Sequence, residues 1–419
     1  MRKLLVLLVL AFTAVPVVAA ATADTADVQA TLETEAFFDS DDADADDPAI
    51  WVHPTDSSKS TVVGTLKNGG LAVFDLAGNT IQRIDYADED ARQNNVDLLY
   101  NVRLGGLTRD LAVVTERGLD HLRVFAIDPA GSDAADPLTE VTVPNPPVVF
   151  EGDTDIAAYG IAAWKDDDGR AWVVMSQRHQ TNLLLVRLVA GPGGTVGFRK
   201  VDTLRLPSTF DLGHGRTWTP CTEEDGEEPQ VEGMVIDGRD GTLYAAQEDV
   251  GLWKISVRDG AFEHPRLFDR VHEFGQAYTR TPDGDEFVCE IDPGSPSAGS
   301  DYLHADAEGV TIYRLTGATG YLLASSQGSS TFLVYDLRSL RLLGTFEIGG
   351  GPTDHVDESD GAMVVNVPLG TTFAQGLLVT HDGDDEPNDD ATNFKFTRWQ
   401  DVAGPLGLKV DTQHGDPRR

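Results

Sequence analysis

The sequence predicts an all-β fold built from six similar units. Six short apolar or β-branched segments each narrow to small residues and end on a polar side chain, at intervals of roughly 50 to 80 residues. The segments are STVVGTLKNGG, DLAVVTERG, AWVVMSQRH, TLYAAQEDVG, YLLASSQGSS and GLLVTHDGD. A repeat of this length that carries strands rather than helices is typical of radial architectures.

Each unit has further strand-like runs on both sides of this segment. The runs before it are PAIWVHP, NVDLLYNV, YGIAAWKD, EGMVIDG, EGVTIYRL and GAMVVNVP; the runs after it are GLAVFDL, LRVFAID, LLLVRLV, GLWKISV, TFLVYDL and NFKFTRWQDV. Most later runs turn through Gly or Asp into a fourth run such as TIQRI. The pattern predicts a six-bladed β-propeller of four-stranded antiparallel blades over residues 24–405. A large β-sandwich is the alternative, but it does not predict six equivalent strand ends.

The two ends of the chain are predicted to lie outside the propeller. Residues 1–23 combine two positive charges, an apolar stretch and small residues, which is the pattern of a secretory signal peptide. A membrane anchor is the alternative, but the stretch is short and Pro16 interrupts it. We therefore expect an exported protein, extracellular or periplasmic, without membrane contact after cleavage. Residues 406–419 are predicted to form a C-terminal tail.

Composition narrows the possible partners. The formal net charge of −37 argues against nucleic acid, because nothing would neutralise the phosphates. The negative charge suits surroundings rich in divalent cations, although the surfaces of halotolerant proteins are equally acidic. The only cysteines, Cys221 and Cys289, predict a disulfide in an exported chain, and each lies in an insertion. A closed propeller offers no free sheet edge, so we expect a monomer.

Equivalent strand ends in a propeller converge on one end of the central channel. The repeated segments end on Lys67, Arg117 and Arg178 in the first three units, and on Glu248, Gln327 and Asp382 in the last three. The preceding strands open on Asp47, Asn95 and Tyr159, then on Glu232, Glu308 and Asp360. One rim is therefore predicted to have a basic half and an acidic half.

This division of charge indicates phosphate chemistry at a metal site. Carboxylate and amide oxygens suit Ca²⁺, and carboxylates gathered on one side, with Asp306 among them, repel one another unless cations lie between them. The absence of an HExxH motif argues against zinc. Arginine facing bound cations favours phosphate, and the combination suits phosphoryl transfer to water. For each residue alone, a turn cap or a surface charge is the alternative.

Several motifs resemble the β-propeller phytases, calcium-dependent enzymes that remove phosphate from myo-inositol hexakisphosphate. The motifs are DDPAIWVHP, LKNGGLAVFDLAGN, NNVDLLY, VEGMVID, LYAAQEDVGLWKI, ADAEGVTIYRL, GYLLASSQGSS and TNFKFTRW, in order from about Asp44 to Ala403. The resemblance implies a 3-phytase type of phosphoric monoester hydrolase, with several calcium ions and inositol phosphates as substrates. It also implies direct attack by a calcium-activated water, without a phosphoenzyme.

The resemblance assigns roles to individual residues. It implies that calcium is held by Asp47, the carbonyls of Pro48 and Val96, Asn95, Glu232, Asp306, Glu308 and Gln327. It implies that substrate phosphate is held by Lys67, Arg117, Tyr159 and Arg178, with Glu248 on the acidic side of the same cleft. We expect Lys67, Arg117, Tyr159, Arg178, Glu232 and Glu248 to be catalytic. Their equivalent strand positions add Asp360 and Asp382 to the expected metal ligands.

Three positions depart from the family pattern. Asn68 stands where relatives often have a basic residue, Arg178 where Lys is common, and Met363 where an Asp is expected. The departures at Asn68 and Met363 affect a second phosphate site or one calcium ligand. Two alternatives therefore stay open from the sequence: a calcium-dependent lactonase or esterase, and a non-catalytic propeller that binds polyanions.

Overall fold

The computed structural model describes residues 25–418, apart from 39–42, 87, 89, 152–156, 285 and 389. The predicted signal peptide, residues 1–23, lies outside the described residues. The described chain forms six antiparallel sheets in a ring, so the predicted six-bladed propeller is confirmed. The first strands of neighbouring blades contact one another around the central channel. None of the helices within the described residues is long and apolar enough to cross a membrane.

The blades follow the six sequence units in order. Blade 1 contains Pro48–Trp51, Thr61–Thr65, Leu71–Phe74 and Thr80–Ile84. Blade 2 contains Gln93–Leu104, Leu107–Glu116, His121–Ile127 and Leu138–Glu140. Blade 3 contains Ala158–Lys165, Ala171–Gln177, Asn182–Ala190 and Val196–Arg205. Blade 4 contains Val231–Asp237, Thr242–Gln247, Gly251–Arg258 and Ala261–Arg270. Blade 5 contains Ala307–Arg314, Gly320–Ser326, Thr331–Asp336 and Leu342–Gly349.

The sixth blade is completed from the other end of the chain. Its three consecutive strands are Ala362–Val365, Leu377–Asp382 and Ala391–Arg398. Its outer edge is formed by two N-terminal strands, Leu32–Glu33 and Phe37–Phe38, which run antiparallel to the last of these three. A further N-terminal strand, Ala26–Gln29, adds to blade 5 in parallel with Leu342–Gly349. The ring is therefore closed by N-terminal residues, a connection that the six-unit pattern does not predict.

The remaining elements are short. The α-helix is Trp399–Ala403, and the 3₁₀ turns are Ser57–Lys59, Gly131–Asp133, Pro192–Gly194 and Gln327–Ser329. Two hairpins flank blade 4: one pairs Phe210–Gly213 with Arg216–Trp218, and the other pairs Tyr278–Asp283 with Glu286–Ile291. Cys221 and Cys289, whose Cα atoms are 6.0 Å apart, form a disulfide that ties the two insertions together.

The core is divided among the blade interfaces. Buried apolar clusters combine side chains of neighbouring blades, as Val113 of blade 2 does with Val173 of blade 3. Because each blade packs on both faces, every residue of Ala171–Gln177 and of Gly320–Ser326 is buried. This explains why the second strands read as continuous apolar runs rather than alternating ones.

The predicted tail, residues 406–419, follows the propeller surface as far as it is described. Leu406 and Leu408 pack against the cluster between blades 5 and 6. Arg418 donates to Asp110 Oδ2 at 2.6 Å, and its guanidinium lies over the ring of Tyr100 at 4.6 Å. Residues 414–418 of the tail reach a cavity of about 560 Å³ that the first strands of all six blades also line. This end of the channel is called the lower mouth below.

Candidate active site

A β-bulge opens the first strand of four blades. The pairing register breaks between Gln93 and Val96, and in the same way at residues 158/161, 231/234 and 307/310. In such a bulge two residues oppose one residue of the partner strand, and their side chains are re-aimed. The first of the two is Asn94, Tyr159, Glu232 or Glu308, and the equivalent residues before the strands of blades 1 and 6 are Asp46 and Asp360. All six side chains line one cavity at the other end of the channel.

Close packing between blades explains why glycine follows two of these glutamates. A Cβ on Gly233 would lie 2.2 Å from the carbonyl oxygen of Glu308, and a Cβ on Gly309 would lie 2.8 Å from that of Asp360. No side chain fits at such distances, so each bulge rests directly on the backbone of the next blade. The Glu-Gly pairs therefore aim a carboxylate into the channel while letting the blades approach.

A second ring of side chains comes from the ends of the second strands. Met234 pairs with Ala245, and three residues later Glu248 reaches the cavity. The same spacing gives Lys67, Arg117, Arg178 and Gln327. In blade 6 Ala362 pairs with Thr380, so the equivalent residue is Gly383. Asp382 falls one residue early, outside the cavity, with its buried carboxylate 2.9 Å from Lys395 Nζ.

The cavity has a volume of about 300 Å³ and brings together ten of the residues expected from the sequence. These are Lys67, Arg117, Tyr159, Arg178, Glu232, Glu248, Asp306, Glu308, Gln327 and Asp360. Three further lining residues, Asp46, Asn94 and Gln230, were not predicted. Aligning the six strand openings on the apolar residue after each bulge would have selected Asp46 and Asn94 instead of their neighbours. No pattern in the sequence marks Gln230.

Five expected ligands do not line the cavity. One is Asp382, and the other four lie behind this surface, where blades 1 and 2 meet. Asp47 Oδ2 accepts a hydrogen bond from Val96 N at 2.9 Å, so the structure brings these two residues together. Asn95 Oδ1 accepts from Asn94 Nδ2 at 2.7 Å. Burial raises the pKa of Asp47 well above its usual value. Asp47, Asn95, Val96 and Pro48 do not line the cavity itself.

Three buried glutamates form the acidic half of the site. Glu232, Glu248 and Glu308 each offer a carboxylate oxygen within 4.8 Å of the others. Oε1 of Glu248 and Oε2 of Glu308 are buried without a hydrogen-bond partner, as is Oδ2 of Asp46. Burial, followed by mutual repulsion, raises the pKa values of Glu248 and Glu308 well above normal, and burial raises that of Asp306 to about 6. Buried carboxylate oxygens without a hydrogen-bond partner are suitable ligands for calcium, because calcium binds several hard oxygen ligands.

Neutral side chains fix these carboxylates in place. Glu232 accepts from Tyr159 Oη at 2.6 Å and from Asn94 Nδ2 at 2.7 Å, one hydrogen bond to each oxygen. Gln230 Nε2 donates to Glu248 Oε2 at 2.9 Å. Gln327 Nε2 donates to Asp360 Oδ1 at 2.6 Å. Each oxygen of Glu232 thus already accepts one hydrogen bond, whereas Glu248 and Glu308 each keep one oxygen without a donor among the described residues.

The basic half contains cations of two kinds. Lys67 Nζ lies 2.7 Å from Asp44 Oδ2 and 3.6 Å from Asp360 Oδ2, so it is already paired. Arg117 donates to Asn94 Oδ1 at 2.8 Å and lies over the ring of Tyr159. Within the described part of the chain, neither Arg117 nor Arg178 forms an ion pair with a carboxylate. Guanidinium groups without a carboxylate are suited to bind an anion from solution.

Comparison with known proteins identifies the family and the type of enzyme. A sequence model of the phytase family matches residues 2–284 and 278–419. The chain is 31% identical to the 3-phytase of Bacillus subtilis (strain 168) over 391 residues, 92% of this chain and 86% of that protein. A crystal structure of BBS1N in complex with ARL6DN, soaked with lead, aligns at 10% identity with a TM-score of 0.40, over 84% of this chain and 78% of that one, too low to bear on the argument. The chain belongs to the phytase family and is a phosphoric monoester hydrolase of the 3-phytase type.

Proposed function

We propose that this protein is an exported, calcium-dependent enzyme that releases phosphate from myo-inositol hexakisphosphate by direct attack of water. The observation that carries the proposal is the facing of opposite charges across one small cavity. Among the described residues, Arg117 and Arg178 have no carboxylate partner there, and Oε1 of Glu248 and Oε2 of Glu308 have no hydrogen-bond donor. Such a cavity matches an anionic phosphate on one side and divalent cations on the other.

The residues of the site would have two roles, phosphate binding and calcium binding. Arg117 and Arg178 bind the phosphate that is hydrolysed, because their planar groups match its oxygens. Glu232, Glu248 and Glu308, with Asp306 and Gln327 beside them, would hold several calcium ions. Bound calcium neutralises charge on a phosphoryl group and lowers the pKa of water, which is the chemistry that direct hydrolysis needs.

Proton positions in the site follow from burial. Burial raises the pKa of Tyr159 well above its usual value, so its hydroxyl stays protonated and donates to Glu232. Asn94 joins the two halves, accepting from Arg117 and donating to Glu232. The phosphate-binding and carboxylate groups therefore hold a fixed relative position before substrate arrives. A lactone or carboxylic ester, by contrast, brings no anion for the unpaired arginines.

Export and a monomeric state are parts of the same proposal. Export is supported by the signal-like residues 1–23 and by the Cys221–Cys289 disulfide, a bond that persists in oxidising compartments. Cell fractionation tests it, and retention of the protein in the cytoplasm would contradict it. Light scattering after size-exclusion chromatography tests the monomer.

The activity is tested by measuring phosphate release from myo-inositol hexakisphosphate. We expect release with calcium, none with a chelator, and at least about a hundredfold loss in Glu308→Gln. Glu347→Gln is the matched control, because Glu347 is an exposed glutamate of blade 5. Release that is insensitive to the chelator would contradict the calcium requirement. A chirally labelled phosphate ester separates the routes: direct attack inverts the configuration at phosphorus, and a phosphoenzyme retains it.

A further inference from the structure

Gln230 connects blade 3 with blade 4 at the wall of the site cavity. It immediately precedes the first strand of blade 4 and lines the cavity together with Arg178 and Glu248. Its Oε1 accepts a hydrogen bond from the main-chain N–H of His179 at 2.7 Å, and its Nε2 donates to Glu248 Oε2 at 2.9 Å. One amide therefore joins the residue that follows Arg178 to a carboxylate of the acidic half.

The chemistry of the two partners fixes the orientation of this amide. A main-chain N–H can only donate, so it requires the amide oxygen, and an ionised carboxylate can only accept, so it requires the amide NH₂. The main chain of Gln230 is held as well, because its carbonyl accepts from Glu248 N at 3.2 Å. The carbonyl of the preceding residue, Pro229, accepts from Nε2 of the buried Gln247 at 2.7 Å. The side chain of Gln230 is therefore held in one orientation.

The turn that carries Arg178 is held against Gln230. His179 has a φ of 55°, in the left-handed region that residues with a side chain rarely adopt, so the turn depends on contacts that stabilise it. Arg178 N donates to the carbonyl of Ala157 at 2.9 Å, and Glu228 N donates to the carbonyl of His179 at 3.0 Å. With the hydrogen bond from His179 N to Gln230, these contacts fix the main chain at Arg178 relative to Gln230.

The two oxygens of Glu248 differ in their hydrogen bonds. Oε2 accepts from Gln230, whereas Oε1 is buried and has no hydrogen-bond partner within the described part of the chain. The donor from Gln230 therefore determines which oxygen of Glu248 stays available, and an amide provides this donor without adding a charge. Asn94 makes the corresponding link on the other side of the cavity, accepting from Arg117 and donating to Glu232.

We propose that Gln230 is a positioning residue of the reaction, which holds Glu248 at a fixed place relative to Arg178 and leaves one oxygen of Glu248 free for calcium. This inference rests on the proposed function, because it assigns that oxygen to calcium and Arg178 to phosphate. Without the donor from Gln230, the Glu248 carboxylate can rotate, and small misplacements of reacting groups slow a reaction considerably. Arg178 keeps its guanidinium, so the loss falls on the chemical step more than on substrate binding.

Two substitutions of Gln230 separate the positioning of Glu248 from the support of the turn. Gln230→Met removes both hydrogen bonds at similar side-chain length, whereas Gln230→Glu keeps an acceptor for His179 N and, when ionised, has no donor for Glu248. At pH 8 and saturating calcium, we expect each variant to lower kcat for myo-inositol hexakisphosphate about tenfold, with KM within about threefold. Gln413→Met, at an exposed position in the tail, should change neither. Unchanged kcat in Gln230→Glu would mean that Gln230 only supports the turn, and would overturn the inference.

Calorimetry with calcium alone provides a readout without turnover. We expect Gln230→Met to weaken calcium binding about fivefold, and Gln413→Met to leave it unchanged. The double variant of Gln230→Met and Glu248→Gln should bind calcium within about twofold of Glu248→Gln alone, because no carboxylate is left to position.

The outcomes separate this inference from the proposed function. An unchanged calcium Kd in Gln230→Met, or effects of the two substitutions that multiply, would overturn the role of Gln230 alone. Absence of calcium binding in the unaltered chain would overturn both the inference and the proposed function. The expected calcium affinities in a chain that releases no phosphate would refute the proposed function and support the contact of Gln230 with Glu248.

Discussion

Two groups of neighbouring carboxylates in this molecule have their mutual repulsion relieved in different ways. The site cluster consists of Glu232, Glu248 and Glu308, and the lysine cluster in blade 6 contains Glu33, Asp354 and Asp385; in each group carboxylate oxygens come within 4.8 Å of one another. The lysine cluster surrounds the fully buried Lys395, which also contacts Asp382. The site cluster has no lysine or arginine ion pair within the described residues.

The difference identifies which group needs a ligand. Burial alone would lower the pKa of Lys395, but Asp382 and the other carboxylates raise it, so the lysine stays charged and compensates the acids. Asn388 and Asn393 donate to Asp385, which further satisfies this cluster. Among the described residues, Oε1 of Glu248 and Oε2 of Glu308 have no such donor. Buried charge without compensation is costly, and the calcium that we propose would supply the compensation that the site cluster lacks.

The largest expected effect comes from breaking the lysine cluster. Lys395→Met leaves four carboxylates, of which Asp382 and Asp385 are buried, without their cation. We expect the free energy of unfolding to fall by about 3–5 kcal/mol. Urea denaturation at pH 7 in a chelator measures it. Lys409→Met, at an exposed position, is the control and should change stability by less than about 0.5 kcal/mol. Equal, small effects of both variants would show that the carboxylates of blade 6 do not depend on Lys395.

The lower mouth offers a second case of built-in compensation. Asp237 Oδ2 lies 2.7 Å from Arg239, and Asp237 Oδ1 lies 2.5 Å from Arg314. Burial would raise the pKa of Asp237, but the hydrogen bond from Arg239 and the charge of Arg314 lower it to about 2. A lowered folded-state pKa contributes stability above the unfolded value of about 4, and that stability is lost as pH falls toward 2.

The corresponding prediction concerns Asp237→Asn. We expect a loss of about 2 kcal/mol at pH 7, shrinking toward zero between about pH 4 and pH 2. Urea denaturation across this pH range measures the difference, with the exposed Asp259→Asn as the control. A loss that persists undiminished at pH 2 would mean that packing, rather than charge, accounts for the effect of the substitution.

The sequence predicted the blades better than it predicted the exact residues of the site. Six strand ends could be recognised because alternation and turn residues are local signals. The bulges are not local: they shift the register by one residue, so Asp46 and Asn94, rather than Asp47 and Asn95, line the cavity. The sequence analysis assigned Asp382 to the rim because strand ends cannot be located from sequence to better than one residue. The strand register assigns Gly383 to that position.

Long-range contacts account for the rest. Glu33 and Lys395 are 362 residues apart, and their contact depends on the N-terminal strands that close blade 6. Neither residue stands out in the repeat, so the pairing cannot be read from pattern alone.

The smallest expected effect is that of Glu308→Gln on the free energy of unfolding. It is also the sharpest test of the comparison, because the sign of this effect should reverse between calcium-free and calcium-containing buffer. Burial, followed by repulsion from Glu232 and Glu248, raises the pKa of Glu308, so ionised Glu308 destabilises the calcium-free fold. We expect Glu308→Gln to raise the free energy of unfolding by about 1 kcal/mol at pH 8 in a chelator. In excess calcium the same variant should be less stable than the unaltered chain, because it loses a ligand.

Paired urea titrations with and without calcium measure both signs, and Glu347→Gln should respond to neither condition. Destabilisation of Glu308→Gln in both buffers would mean that the fold itself satisfies the three glutamates, as Lys395 does in blade 6. A reversal of sign would instead establish that the carboxylates of the acidic half lower the stability of the calcium-free protein. Only an external cation then explains why these buried carboxylates are tolerated.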